Sequence, residues 1–208
     1  MTMALEIVLA THNAHKVEEF QRILSRDVPS VRVVAYDGPE PVEDGVSFAE
    51  NALIKARAAA AHTGLVALAD DSGIAVDILG GSPGIFSARW AGHAHDSAAN
   101  LALLLDQLGD VRPEHRQAHF SCAIALVVPE SHPAGASEEV VVGEWHGTLA
   151  TSPRGDNGFG YDPIFVPDGS ELTAAELSPA AKNDVSHRAL AFAQIVPALS
   201  IVAAAETA

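Results

Sequence analysis

Two short apolar runs meet at a pair of acids near the middle of the chain, and this feature constrains the fold most. Leu65-Val66-Ala67-Leu68-Ala69 leads into Asp70-Asp71-Ser72-Gly73, and Ile74-Ala75-Val76-Asp77-Ile78-Leu79 follows at once. Apolar runs of this length, bounded by polar residues, read as buried strands, so the pattern predicts two strands with the acids at a tight turn on a sheet edge. Neighbouring carboxylates at such a place are costly to desolvate unless something cationic sits against them. A hard, oxygen-seeking cation such as Mg²⁺ meets that need.

The remaining punctuation places other elements around this pair. Leu5 to Ala10 reads as a strand, and Val17, Phe20, Ile23 and Leu24 then share one helical face. Val31 to Tyr36 reads as a strand, and the Pro- and Gly-bearing stretch Asp37 to Asp44 as a loop. Ser47-Phe48-Ala49-Glu50 has capping-box form and opens an alanine-rich helix ending near Gly64. A leucine-rich helix is expected over Ala98 to Leu108, long strands over Ala118 to Val128 and Glu139 to His146, and a short strand over Ile164 to Val166. Helical pattern resumes near Ala174, is interrupted at Pro179 and restarts around His187, with a frayed tail from Ala203 to Ala208. Strands alternating with helices early, then paired long strands, predict an α/β fold with a mixed β-sheet flanked by helices. Without repeats, low-complexity segments or linkers, residues 1–208 read as a single domain of two lobes around a cleft.

Charge narrows the partners. The formal net charge is −15, with 12 Lys and Arg against 27 Asp and Glu. Such a surface repels polyanions, so neither a nucleic acid polymer nor an anionic membrane is an expected partner. A small phosphorylated ligand remains compatible, given a local basic pocket. No stretch approaches the roughly 20 apolar residues of a membrane span, and Met1 to Ala10 lacks a basic n-region or cleavage site. The lone Cys122 sits in an apolar run, reads as a buried structural thiol, and fits a reducing, cytoplasmic setting. The histidines form no zinc-binding pattern; His93-Ala94-His95 reads as an exposed loop.

Four segments carry candidate chemistry. Thr11-His12-Asn13-Ala14-His15-Lys16 lies where a strand yields to a helix, and helix N-termini present unpaired N–H groups to anions. Lys16 gains nothing there from the helix dipole, so an anion beside it would explain its placement; ordinary capping by Thr11 or Asn13 is the plainer alternative. Asn51 and Lys55 share a helix face, while Glu50 is explained as the capping partner of Ser47. Glu43 and Asp44 lie in a loop able to fold back toward Asp70 and Asp71, giving an oxygen-only set suited to Mg²⁺. Gly155 to Pro163 places glycines around Phe159 and Tyr161, which lets backbone approach a flat ligand while a ring stacks on it; a hairpin connection is the alternative. Lys182 and Ser186-His187-Arg188 add positive charge near the last helix.

In combination these segments resemble the Ham1-like inosine/xanthosine triphosphate pyrophosphatase family. The resemblance rests on Thr11-x-Asn13-x-x-Lys16, Phe48-x-Glu50-Asn51-Ala52-x-x-Lys55-Ala56 and Ala69-Asp70-Asp71-Ser72-Gly73, then Gly80-Gly81-x-Pro83-Gly84-Ile85-x-Ser87-Ala88-Arg89, Gly158 to Pro163 and Ser186-His187-Arg188. They run in order from Leu5 to about Ala193. His12 stands where many members of the family have glycine.

The resemblance implies an elongated α/β fold with a central active-site cleft, a homodimer, and Mg²⁺-dependent hydrolysis of ITP, dITP and XTP to monophosphate and pyrophosphate. It implies that Thr11, His12, Asn13, Ala14, His15 and Lys16, with Lys55, meet the phosphates. Asp71 would be the catalytic acid-base and a metal ligand with Glu43, and Ser72 would touch substrate. Phe159, Gly160, Tyr161, Asp162, Lys182, His187 and Arg188 would hold the base and nearby groups. A broader modified-nucleotide pyrophosphatase and a non-catalytic nucleotide sensor are the competing readings.

Overall fold

The computed structural model describes residues 4–93 and 95–206. A six-stranded mixed sheet has the order β2-β1-β3-β4-β5-β6. Its strands are β1 (Leu5–Leu9), β2 (Val31–Ala35), β3 (Val66–Val76), β4 (Gln117–Val128), β5 (Ser137–Leu149) and β6 (Phe165–Pro167). The helices are α1 (Ala14–Asp27), α2 (Phe48–Thr63), α3 (Ser97–Gln107), α4 (Pro179–Val185) and α5 (His187–Ala205). The α/β class and mixed sheet expected from the sequence are therefore observed.

By contacts the chain divides into two compact units. One comprises the described residues up to Asp71 with Ala123–Val142 and the residues from Ala191 onward; the other comprises Ser72–Cys122 and Gly143–Leu190.

In the first unit β1 pairs in parallel with β2 (Leu5↔Val31 to Leu9↔Ala35) and with β3 (Ile7↔Val66 to Leu9↔Leu68). Parallel neighbours need crossover connections, which α1 and α2 supply. α2 shows how sequence becomes packing. Ser47 accepts a hydrogen bond from the Glu50 N–H (3.2 Å), and Glu50 reaches back to the Val46 N–H (2.7 Å), one residue before the cap. At the other end Gly64 turns left-handed (φ 72°) and donates to the Ala60 carbonyl, a conformation glycine adopts without penalty. The buried stripe of α2 is Ala52, Ala56, Ala59 and Ala60, and it packs with sheet alanines Ala67, Ala69, Ala123 and Ala125. Alanine facing alanine lets helix and sheet approach closely, so side chains of modest length on α2 reach β3. Phe20 and Phe192 meet edge to face at 4.6 Å in the same unit.

In the second unit, Ile74, Val76, Leu104, Leu108, Phe120, Trp145, Tyr161 and Phe165 belong to one core. β5 and β6 pair antiparallel, Gly147↔Pro167 to Leu149↔Phe165.

Three expectations are corrected. The acids do not sit in a turn between strands: β3 runs unbroken from Val66 to Val76, with only Asp71 and Ser72 less than buried. Alternation along an extended strand separates neighbouring side chains, which relieves the like-charge repulsion that a turn would concentrate. Pro179 does not interrupt a helix but begins α4, where its missing N–H costs nothing, with Ser178 as cap accepting from Ala181 (3.2 Å). The tail is helical to Ala205; Thr207 and Ala208 lie outside the described residues.

α5 also differs from expectation. Its 19 residues and mean hydropathy of 1.7 match a membrane span by length and composition. Ala191, Phe192, Ile195, Leu199 and Val202 are nevertheless buried, so one face of α5 belongs to the core.

Candidate active site

A pocket of the first unit, about 200 Å³, forms where β1 gives way to α1. Thr11, His12 and Lys16 from that turn line it, with Tyr36, Glu40, Pro41 and Glu43 from the segment after β2, Lys55 from α2 and Asp70 from β3. Lys16 Nζ grips Asp70 at both oxygens (2.9 and 3.0 Å). The Asp70 side chain is only 2% exposed, so this carboxylate is the anion that accounts for a lysine in the first turn of α1.

Asp71 has different company. Asn51 Nδ2 donates to its Oδ2 (3.2 Å), and Lys55 Nζ lies 3.6 Å from Oδ1 and 3.3 Å from Glu43 Oε2. Asn51 is buried, and its own Oδ1 accepts the Gly45 N–H (3.0 Å), so the amide is locked with its donor toward Asp71. Burial pushes the Asp71 carboxyl above the ordinary carboxylate range; Lys55 pulls it back, Glu43 pushes it up again, Asn51 lowers it and Asp70 raises it. Asp71 itself does not line the pocket; it stands next to the lining residues Asp70, Glu43 and Lys55.

Among the described residues no group of three or more His, Cys, Asp or Glu side chains forms a metal cage. Mg²⁺ does not require one: it is commonly held by one or two carboxylates, with water and substrate phosphate completing the octahedron. Glu43 and Asp71, sharing a single ammonium, are an oxygen-only pair with a standing demand for positive charge, and they fit that ion.

The remaining candidates in this region divide. Asn13 does not line the pocket; its side chain accepts the Lys16 N–H (3.4 Å), the capping alternative. The side chains of Ala14 and His15 lie outside the described residues.

The second unit has its own pocket of about 180 Å³, lined by Ser72, Phe159, Gly160, Tyr161, Asp162, Lys182 and His187 among others. Asp162 organises one side. It accepts from the Phe159 N–H (2.8 Å) and from Lys182 Nζ (2.5 Å), and a Cβ on Gly158 (φ 74°) would collide with its carboxylate. Lys182 also sits 5.5 Å from the centre of the Phe159 ring, which is 73% exposed. Tyr161 is buried, donates its hydroxyl to the Ser87 carbonyl (2.9 Å), and burial holds its phenol well above the usual value. Phe159 therefore offers the open aromatic face, while Tyr161 lines the pocket with its hydroxyl committed to Ser87. His187 stacks on Phe120 at 4.9 Å. Arg188 does not line this pocket.

Sequence reasoning missed several lining residues. Phe120 is indistinguishable from core within an apolar strand. Ser87 looks like ordinary turn polarity, yet it accepts the Ile74 N–H (2.9 Å) beside the pocket. His95, read as exposed loop, is exposed and also lines the pocket. Glu40 and Tyr36 carried no local signal.

An α/β sheet protein with Lys16 in the first turn of α1, and Lys55 of α2 and carboxylates beside the same pocket, is of a class suited to small phosphate-bearing anions. Comparison with known proteins narrows this class. The profile of the Ham1 family matches residues 7–198. The dITP/XTP pyrophosphatase of Leifsonia xyli subsp. xyli is 60% identical over 195 residues, covering 94% of this chain and 96% of its own. That of Mycobacterium tuberculosis H37Rv is 50% identical over 208 residues, covering 98% and 99%. Among solved structures, a Ham1 protein from Coxiella burnetii superposes with TM-score 0.85 at 43% identity, covering 94% and 98%. A nucleoside-triphosphatase / dITP/XTP pyrophosphatase from Mycobacterium abscessus superposes with TM-score 0.78 at 49% identity, covering 93% and 100%. The chain belongs to the Ham1 family.

Proposed function

We propose that this protein hydrolyses non-standard purine nucleoside triphosphates, ITP, dITP and XTP, to the monophosphate and pyrophosphate. The observation that carries the mechanism is Asp71: a partly buried carboxylate oriented by Asn51 and sharing Lys55 with Glu43.

The triphosphate is assigned to the first pocket. Its charge approaches four negatives, and Lys16, Lys55 and the N–H groups opening α1 offset it. Glu43 and Asp71 would hold Mg²⁺, which when bound supplies charge neutralisation and a lowered pKa for water. Asn51 fixes the Asp71 carboxylate, and Asp71 accepts a proton from the attacking water at the oxygen not held by the amide. Lys16, kept in place by the Asp70 carboxylate, stabilises charge on the leaving pyrophosphate with its remaining ammonium donor.

The base is assigned to the second pocket, with Phe159 stacking on it and Ser72, Gly160 and His187 around it. Of the N–H donors in the glycine loop, those of Phe159 and Asp162 are satisfied within it (2.8 and 3.2 Å). An ammonium has three donors, and Lys182 gives one to Asp162, so Lys182 is the donor assigned to a 6-oxo group. Adenine would set its amino group against that donor, and an unpaired buried polar group supports discrimination of roughly 10⁴-fold or more. Arg188 is kept as a nearby positive group. The acidic surface supports a small-molecule substrate over a nucleic acid polymer or membrane, and the single buried thiol supports a cytoplasmic site of action. The homodimer rests on the family resemblance.

The experiment is pyrophosphate release from ITP, XTP, dITP, GTP, ATP and dUTP, with and without Mg²⁺. Release from the 6-oxo, non-standard purines and only with the metal is expected. Comparable release from dUTP would favour the broader pyrophosphatase, and nucleotide binding without release would favour the sensor.

A further inference from the structure

His12 stands inside the first pocket, held by two contacts. Its Nε2 lies 3.0 Å from the Gly38 carbonyl and its Nδ1 2.9 Å from Glu40 Oε1. Both ring nitrogens thus face acceptor oxygens. The ring also lies parallel to Tyr36 (5.9 Å, 5°), whose hydroxyl donates to the Pro39 carbonyl (3.1 Å). Gly38 passes so close to Tyr36 and His62 that any Cβ there would overlap them. The segment after β2 is therefore drawn onto the turn before α1. Its far end is pinned by Gly45 on Asn51 (3.0 Å), Val46 on Glu50 (2.7 Å) and Glu43 on Lys55 (3.3 Å).

Within this arrangement Glu40 is an outlier. Its side chain is 75% exposed, it lines the pocket, and His12 holds its carboxylate beside the N-terminus of α1, where an anion is favoured. A carboxylate held there by the His12 ring occupies ground a substrate phosphate would take.

We propose that Glu40 is a built-in competitor for the phosphate site: in the free protein it engages His12, and a bound phosphate replaces it as the partner of that imidazole. This rests on the assignment of the triphosphate to the first pocket. A phosphate carries more charge and more acceptor oxygens than a carboxylate, so the exchange favours substrate once it arrives. The Gly38 contact and the Tyr36 stack keep the ring in place while its Nδ1 changes partner. His12 is then a phosphate-binding residue whose availability Glu40 sets, and Glu40 is a positioning residue that raises the substrate concentration needed for occupancy. The apparent affinity of a site is reduced by the fraction of molecules in the competent state, so removing the competitor tightens binding.

The test is a double-mutant cycle of wild type, Glu40→Gln, His12→Gln and the double variant. It measures the dissociation constant of inorganic pyrophosphate by calorimetry and KM and kcat for ITP, with a thermal melt confirming each fold. Glu40→Gln is expected to tighten pyrophosphate binding and lower KM by about 2- to 5-fold, the scale of an exposed ion pair. In the His12→Gln background that gain should disappear. An unchanged or weakened affinity in Glu40→Gln overturns the proposal. An equal gain with and without His12 overturns it too, since that is general relief of negative charge. Pyrophosphate release from ITP by the wild type tests the proposed function separately, whatever the cycle returns.

Discussion

At the residue scale, Asp70 and Asp71 are adjacent in sequence and different in chemistry. Asp70 is buried on Lys16; Asp71 is less buried, held by Asn51 and close to Lys55. Asp71→Asn should lower kcat by at least about 10²-fold, the usual weight of a general base, while nucleotide binding persists; pyrophosphate release and calorimetry check the two halves. The same substitution should not destabilise the fold at neutral pH. The folded protein raises the Asp71 pKa, so between the unfolded value of 3.8 and the higher folded value the native state binds more protons than the unfolded state. Wild-type stability therefore falls as pH rises through that window, and the cost of the ionised carboxylate is complete above it. Urea unfolding across the acid-to-neutral range should find Asp71→Asn gaining on wild type with rising pH. Phe159 makes the complementary case: its ring is mostly exposed, so Phe159→Ala should leave the melting temperature nearly unchanged. It should raise KM for ITP by the worth of one stacking contact, about 1–3 kcal/mol.

At the element scale, α2 is the part that brings Asn51 and Lys55 to Asp71. Its alanine stripe sets how near Asn51 and Lys55 stand to β3. Ala56→Leu places three extra heavy atoms in a closed interface, which costs about 1–3 kcal/mol and should lower kcat more than it raises KM. Denaturant titration with steady-state kinetics checks both. This element was legible in sequence because its signals are local: a serine cap, a glutamate three residues on, small residues at helical spacing and a terminal glycine. β3 was legible only in its ends. The break in hydrophobicity at Asp70 to Gly73 resembles a turn, and nothing local shows that Lys16, 54 residues away, makes a buried carboxylate tolerable within a strand. Pro179 misled similarly, since proline ends one helix and begins another with equal ease.

At the scale of the whole molecule, each compact unit carries one of the two pockets described above, the first rich in charge and the second built around an aromatic ring and an Asp–Lys pair. If Mg²⁺ is held by the two carboxylates proposed for it, Glu43 and Asp71, Mg²⁺ alone should raise the melting temperature little, and Mg²⁺ with pyrophosphate should raise it clearly. Chelation should abolish turnover and remove that joint stabilisation. Differential scanning fluorimetry across the four combinations of metal and pyrophosphate checks this.

The sequence by itself determined the order of elements, the α/β class, the acid pair with its lysines, and a motif series specific enough to place the chain in its family. Those properties are written in nearest neighbours, periodicity and short spacings. Only the tertiary structure decided that the acids lie within one strand and that Lys16 belongs to Asp70. It alone made Asn51 the group that orients Asp71, buried Tyr161 while leaving Phe159 open, and brought Glu40 to His12. Each of those is a pairing between residues distant in sequence, and partner choice for a charge or a ring depends on which desolvated surface the packed elements place beside it.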